Sequence, residues 1–380
     1  MKNAGNYKNK NKNKNKNKNK NKNKNKNTDR GIVENKVIRV LVVDDSAFMR
    51  ILISDMLNSE PGIEVVGVAK DGFEAIEKTK SLSPDVITMD VEMPRMNGLE
   101  ALKRIMEEKF TPVVMLSGIT AKNADITVEA LAKGAFDFVL KPSGTLSLDI
   151  DKVREELIAK IKSAYSAYYY DYYDKVFWEP HEYVAEQGMA EPGRRSRKVV
   201  VIGASTGGPK SLVAIFSALP PIPAGILVVQ HMPPHFTRSL AERLDKHSEL
   251  QVREAVEGDE IRDGKALVAP GDFHMTVNND GRIHLNRGPR VNAIRPSVDV
   301  TMKSVAMTYG CDSLGVLLTG MGKDGAEGMK AIKEHGGKTI ACDERTSIIF
   351  GMPREAIKLG CVDRILPLDE IAAAITEEVV

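Results

Sequence analysis

Ser205 stands in Gly203-Ala204-Ser205-Thr206-Gly207, which fits G-x-S-x-G. It follows the apolar run Val199-Val200-Val201-Ile202 and precedes Gly208, Pro209 and a helical pattern beginning near Lys210. A serine on a glycine-flanked turn from strand to helix is held out at the carboxyl edge of a sheet. There a base from another loop can reach it, and backbone N–H groups can stabilise an oxyanion. The competing reading is a tight or phosphate-cradling turn. The stretch lacks the spacing of G-x-G-x-x-G and the Gly-Lys of a P-loop, which lowers the nucleotide-binding versions of that reading. Serine chemistry also needs a base and a group to orient it. His231 is the best-placed base because it directly follows the buried strand Gly225 to Val229, and His235 is its near rival. His247 and His335 sit near helix ends, where they suit the helix dipole. His274 and His284 fall on a predicted hairpin. Asp324 is the best orienting acid, in a Gly-rich loop after the apolar strand Leu314 to Leu318, with Asp272 and Asp299 as competitors.

A second constellation lies in the first half of the chain. Asp44, Asp45 and Asp90 end two predicted strands, Ser117 ends another, and Lys141 ends a fourth. Three carboxylates in one pocket repel unless a hard cation joins them, and Mg²⁺ with oxygen ligands suits them. A metal-flanked aspartate can attack a phosphoryl donor and form an acyl phosphate, with Lys141 pairing with the phosphoryl group and the Ser117 hydroxyl bonding to it. Any one aspartate is more simply a loop or N-cap residue. Five suitable residues at the ends of successive elements are not so simply explained.

The elements that must position these groups alternate. Strands at Val37 to Val43, Glu64 to Ala69, Asp85 to Met89, Pro112 to Leu116 and Phe136 to Leu140 are each followed by a helical pattern, the last over Asp149 to Ala164. This predicts a doubly wound parallel α/β sheet with its ligands at the carboxyl ends of the strands. Alternation resumes at Lys198 and predicts a second doubly wound, Rossmann-like parallel domain. Within it, Asn278-Asn279-Asp280-Gly281 signals a hairpin. Three adjacent parallel strands would then bring Ser205, His231 and Asp324 to one edge.

Between the two domains, the stretch from Tyr165 to Lys198 is rich in aromatics and ends in a polar, basic run, as an interdomain linker does. Its aromatics would dock on a domain surface or bind a partner. Residues 8–27 alternate Lys and Asn, a pattern expected to be disordered. The formal charge is +2 overall and eleven lysines fall within residues 1–27, so the remainder carries −9. That acidity argues against a nucleic-acid-binding body. No run of about 18 apolar residues would span a bilayer. Cys311, Cys342 and Cys361 lack metal-like spacing and suit reduced thiols of a cytoplasmic protein.

Residues 36–165 resemble a response-regulator receiver domain. The motifs that carry this are Val40-Leu41-Val42-Val43-Asp44-Asp45-Ser46, Asp90 through Gly98, and Leu140-Lys141-Pro142. The resemblance implies phosphorylation of Asp90 and Mg²⁺ on Asp45, Asp90 and the carbonyl of Glu92, with Asp44 helping through water. It also implies a switch through Ser117 and Phe138, and a cis peptide before Pro142. Residues 198–380 resemble the catalytic domain of chemotaxis protein-glutamate methylesterases (the CheB family). The carrying motifs are Ile202 through Gly208, Gln230-His231-Met232-Pro233, Arg295-Pro296-Ser297-Val298-Asp299 and Leu318 through Gly325. That resemblance implies a serine hydrolase that demethylates glutamate methyl esters of chemoreceptors and deamidates selected glutamines, with backbone N–H groups of Thr206 and Met321 at the oxyanion. The hydrolase would need no cofactor. A chemotaxis histidine kinase would be the phosphoryl donor. The chain is expected to be cytoplasmic, monomeric and free of nucleic acid and membrane insertion, with the unphosphorylated receiver covering the hydrolase site. The expected organisation is a tail over 1–35, the receiver over 36–165, a linker over 166–197 and the hydrolase over 198–380. A small-molecule esterase and a non-catalytic adaptor are the alternatives of other classes.

Overall fold

The computed structural model describes residues 36–142, 150–169 and 194–380. The predicted Lys-Asn tail and most of the aromatic linker lie outside these residues.

The first sheet contains β1 (Ile38–Val43), β2 (Ile63–Ala69), β3 (Val86–Asp90), β4 (Val113–Ser117) and β5 (Asp137–Leu140), in the order β2-β1-β3-β4-β5. All its pairings are parallel. Parallel strands covered on both faces need continuous apolar runs, and every residue of β3 and β4 is buried. Side-chain caps start the intervening helices: Ser46 for α1 (Ala47–Asn58), Asp71 for α2 (Gly72–Leu82), a capping box of Asn97 and Glu100 for α3 (Gly98–Glu108), and Thr120 for α4 (Ala121–Ala132). Helix α5 (Ile150–Tyr169) runs past the predicted end at Ala164, because Tyr165 and Ala167 continue its buried face. The strand order reverses between β1 and β3, and Asp45 and Asp90 lie at that switch point.

The second sheet is built from β6 (Lys198–Ala204), β7 (Ala224–Gln230), β8 (Gln251–Glu254), β9 (Lys265–Val268), β12 (Ser313–Leu317), β13 (Lys338–Cys342) and β14 (Arg364–Leu366). Its order is β14-β13-β12-β6-β7-β9-β8, all parallel. Helices α6 (Gly208–Ala218), α7 (Phe236–Lys246) and α11 (Leu368–Val379) pack with one apolar core, and α8 (Val298–Tyr309), α9 (Ala326–Glu334) and α10 (Met352–Lys358) with another. The predicted hairpin is β10 (His274–Val277) paired antiparallel with β11 (Ile283–Asn286). The chain leaves β6 toward β7 and later returns to β12 on its other side, so β12, β6 and β7 are neighbours, as predicted.

The first and second domains pack together through α4, β5 and α5 of the first. The rings of Phe138 and Phe236 stack with centroids 4.6 Å apart and planes 4° from parallel. Thr206 Oγ1 donates to Asp137 Oδ2 at 2.6 Å, and Ser239 Oγ to Asp125 Oδ1 at 2.5 Å. Phe138, Asp137 and Thr206 are all buried.

Candidate active site and phosphoacceptor site

At the carboxyl edge of the second sheet, β6 ends in Ala204 and delivers Ser205, whose N–H donates to the Thr319 carbonyl at 3.0 Å. Gly207 takes φ +78, a left-handed conformation that turns the strand into α6 and that glycine adopts without strain. Gly320 lets the β12 loop close on this turn: a Cβ there would come within 2.7 Å of Ser205 Cβ. The neighbouring β7 delivers His231, whose N–H donates to Ala204 O at 3.1 Å. Its Nε2 lies 2.8 Å from Asp324 Oδ2. The structure therefore joins His231 to Asp324 by a hydrogen bond and sets Ser205 on the adjacent strand. Among the described residues no hydrogen bond links the Ser205 hydroxyl to His231. Such bonds are often long before substrate arrives.

The environment of Asp324 accounts for its charge. Oδ1 accepts from Ser297 Oγ at 2.7 Å and Oδ2 from Val298 N–H at 2.6 Å. The carboxylate thus caps the N-terminus of α8, where the helix dipole favours negative charge. Burial works to raise its pKa, but the bond from His231 and those from Ser297 and Val298 outweigh it and hold the group below the usual carboxylate range. Asp299, weighed as a rival orienting acid, plays the reciprocal part. Its Oδ1 accepts from Gly325 N–H at 2.9 Å and Gly328 N–H at 2.7 Å, at the start of α9. Burial and the nearby Asp324 carboxylate push Asp299 up to about 6. Asp272 is engaged elsewhere, by arginines. The sequence alone gives Ser297 no catalytic part, because a serine before a helix reads as that helix's own cap.

The other histidines fall as expected. His274 is buried, with Nε2 3.0 Å from Pro289 O, whereas His284 is exposed beside Glu257. His247 and His335 bond carbonyls four residues back, at helix C-termini. His235 adopts φ +73 at the start of α7.

In the first domain, ligand oxygens of Asp44, Asp45 and Asp90 lie within 4.8 Å of one another. Lys141 Nζ reaches Asp44 Oδ2 at 2.7 Å and Asp90 Oδ2 at 2.8 Å. Burial pushes Asp90 up to about 6, with Lys141 opposing and Asp44 reinforcing. One lysine leaves the three carboxylates with excess negative charge. Their grouping and that charge fit a hard divalent cation. The side chain of Glu92 pairs with Lys122 at 2.9 Å. The Ser117 hydroxyl bonds Thr127 and Gly118. The structure corrects one expectation: the Arg295-Pro296 bond is cis, and the bond before Pro142 is not. Lys141 is aimed instead by β5, its N–H donating to Ser117 O at 2.8 Å.

Residues 200–375 match the family model described as CheB methylesterase, and residues 40–150 that of the response regulator receiver domain. A Pyrococcus abyssi (strain GE5 / Orsay) protein named protein-glutamate methylesterase/protein-glutamine glutaminase is 49% identical over 350 residues, which cover 90% of this chain and 94% of that one. The chain belongs to this methylesterase/glutaminase family. A Thermotoga maritima member is 48% identical over 347 residues, covering 90% of this chain and 99% of its own. The crystal structure of the Thermotoga maritima CheB methylesterase catalytic domain aligns at 46% identity and TM-score 0.46, covering 47% of this chain and 97% of that one. Among the described residues of this family member, no helix is long and apolar enough to cross a membrane.

Proposed function

We propose that the chain is a phosphorylation-controlled protein-glutamate methylesterase and protein-glutamine deamidase acting on chemoreceptors in the cytoplasm. In this reading residues 36–165 are the receiver, 166–197 the linker and 198–380 the hydrolase. The observation that carries it is the His231–Asp324 hydrogen bond at 2.8 Å beside the Ser205 turn.

His231 takes the Ser205 proton as the oxygen attacks the ester or amide carbonyl. The carbonyl oxygen becomes an oxyanion, received by backbone N–H groups of Thr206 and Met321; one such donor is worth about 10²–10³ in rate. The tetrahedral species collapses, and His231 returns the proton to the departing methanol or ammonia. Water then attacks the acyl-enzyme with His231 again as base, which frees the glutamate and restores Ser205. Asp324 fixes the imidazole tautomer and stabilises its cationic form.

In the receiver, Asp90 accepts the phosphoryl group from a histidine kinase. Asp45, Asp90 and the Glu92 carbonyl would hold Mg²⁺, with Asp44 helping, and the ion would supply charge neutralisation. The unphosphorylated receiver restrains the hydrolase, and phosphorylation shifts the population toward a released arrangement. That demands arrangements only a few kcal/mol apart. What supports restraint is the Asp137–Thr206 bond, which engages the residue after Ser205. The test is methanol release from methylated receptor fragments with and without a small-molecule phosphodonor. Stimulation by the donor is expected. Release from simple esters but not from receptor would favour a small-molecule esterase.

A further inference from the structure

Asp272 lies in the loop after β9 and is surrounded by three arginines. Arg295 donates to its Oδ1 through Nε at 3.2 Å and Nη2 at 2.7 Å, and Arg295 Nη1 donates to the carbonyls of Arg287 and Gly288. Arg295 is thereby locked, and it is mostly buried. Arg290 Nη2 reaches the same Oδ1 at 3.1 Å, and Arg287 Nε stands 3.9 Å from Oδ2. One carboxylate needs one guanidinium, and Arg295 already serves Asp272. Arg287 and Arg290 are therefore surplus cations, and both are more than half exposed. Arg287 is held over the Phe273 ring, 4.5 Å from its centroid, which presents its outer N–H groups.

The cluster adjoins the segments that carry His231 and Ser297. Gly271 lies against Pro233 and Pro234 of the His231 loop: a Cβ there would meet the Pro233 carbonyl carbon at 2.3 Å. Arg295 stands two residues before Ser297, which bonds Asp324. The chain beyond residue 27 is acidic overall, so three arginines sharing one carboxylate run against the general charge.

The reaction itself indicates the complement. Each hydrolysis of a glutamate ester or glutamine leaves a carboxylate on the substrate protein. The geometry points to Arg287 and Arg290 as a reader of substrate carboxylates flanking the reacting residue, so that a segment already carrying free glutamates is bound better. This rests on the esterase reading above. Guanidinium pairs carboxylate in a two-pronged geometry, which gives direction as well as attraction.

The test uses two receptor fragments with one glutamate methyl ester at the same position. In one the flanking carboxylates are kept, and in the other they are replaced by alanine. Full-length wild type is expected to show a kcat/KM roughly three- to ten-fold higher on the first, carried by KM and shrinking at high salt. The double variant Arg287→Gln/Arg290→Gln should treat both fragments alike, and Arg287→Lys/Arg290→Lys should keep part of the preference. Equal rates for wild type on both fragments would overturn the inference. So would a preference that survives in the glutamine variant, or a glutamine variant that loses the same factor on both. Hydrolysis of neither fragment by wild type would instead sink the esterase reading, and this inference with it.

Discussion

Asp137 of the receiver accepts a 2.6 Å hydrogen bond from the hydroxyl of Thr206, the residue that follows Ser205. Asp137 also pairs with Lys160, 3.4 Å away, and accepts from Phe138 N–H at 2.8 Å. One carboxylate thus joins β5, α5 and the Ser205 turn.

Removing that bond should loosen the restraint without touching the backbone. Thr206→Val keeps the shape and deletes the donor, a change worth about 1 kcal/mol. Unphosphorylated methanol release is expected to rise about five-fold, with little change once Asp90 is phosphorylated. A fall in both states would mean that the hydroxyl serves the hydrolase and that the restraint lies elsewhere.

Ser297 is expected to act through Asp324. Ser297→Ala deprives a buried carboxylate of a 2.7 Å donor, and bonds to charged groups contribute about 1.5–3 kcal/mol. The expected result is roughly a ten-fold fall in kcat with KM unchanged, and an acid limb of the pH–rate profile moved upward. A change in KM alone would assign Ser297 to substrate binding.

Asp299 sits near pKa 6 because burial and Asp324 disfavour its charge. A carboxyl raised in the native state gives stability that is present below its unfolded pKa and lost as pH rises through the native value. That window runs from about pH 4 to about pH 6. Asp299→Asn keeps the oxygen that accepts from Gly325 and Gly328 and removes the charge. Thermal unfolding should show parity with wild type near pH 4 and a gain on the order of 3 kcal/mol near pH 8. Parity at both would mean that Asp299 is neutralised by other means.

The acidic cluster predicts a stabilising response to Mg²⁺. At ten times the dissociation constant the gain is about 1.4 kcal/mol, read as a rise in the receiver's unfolding midpoint. Asp90→Asn should abolish the response. An equal rise in the variant would place the ion elsewhere.

Much of this was legible in order along the chain. Apolar runs closing on Asp44, Asp90, Ser205 and His231 marked both sheet edges, since buried parallel strands leave little room for polar residues until they end. The rest depended on distant partners. Ser297 meets Asp324 27 residues on, and Thr206 meets Asp137 69 residues back; nothing local to either hydroxyl names its acceptor. Strand β14 has three residues, with Ile365 exposed, too short to establish a period. The extension of α5 through Tyr169 was hidden because its tyrosines read as linker aromatics.

The proposed mechanism stands on Ser205 as the nucleophile served by His231 and Asp324. Methanol release from a methylated receptor fragment tests it most directly, comparing the phosphorylated wild type with Ser205→Ala. Phosphodonor-stimulated release by wild type is expected, with a loss of at least about 10³-fold in the variant, which still binds the fragment. Release by Ser205→Ala within about ten-fold of wild type would contradict it.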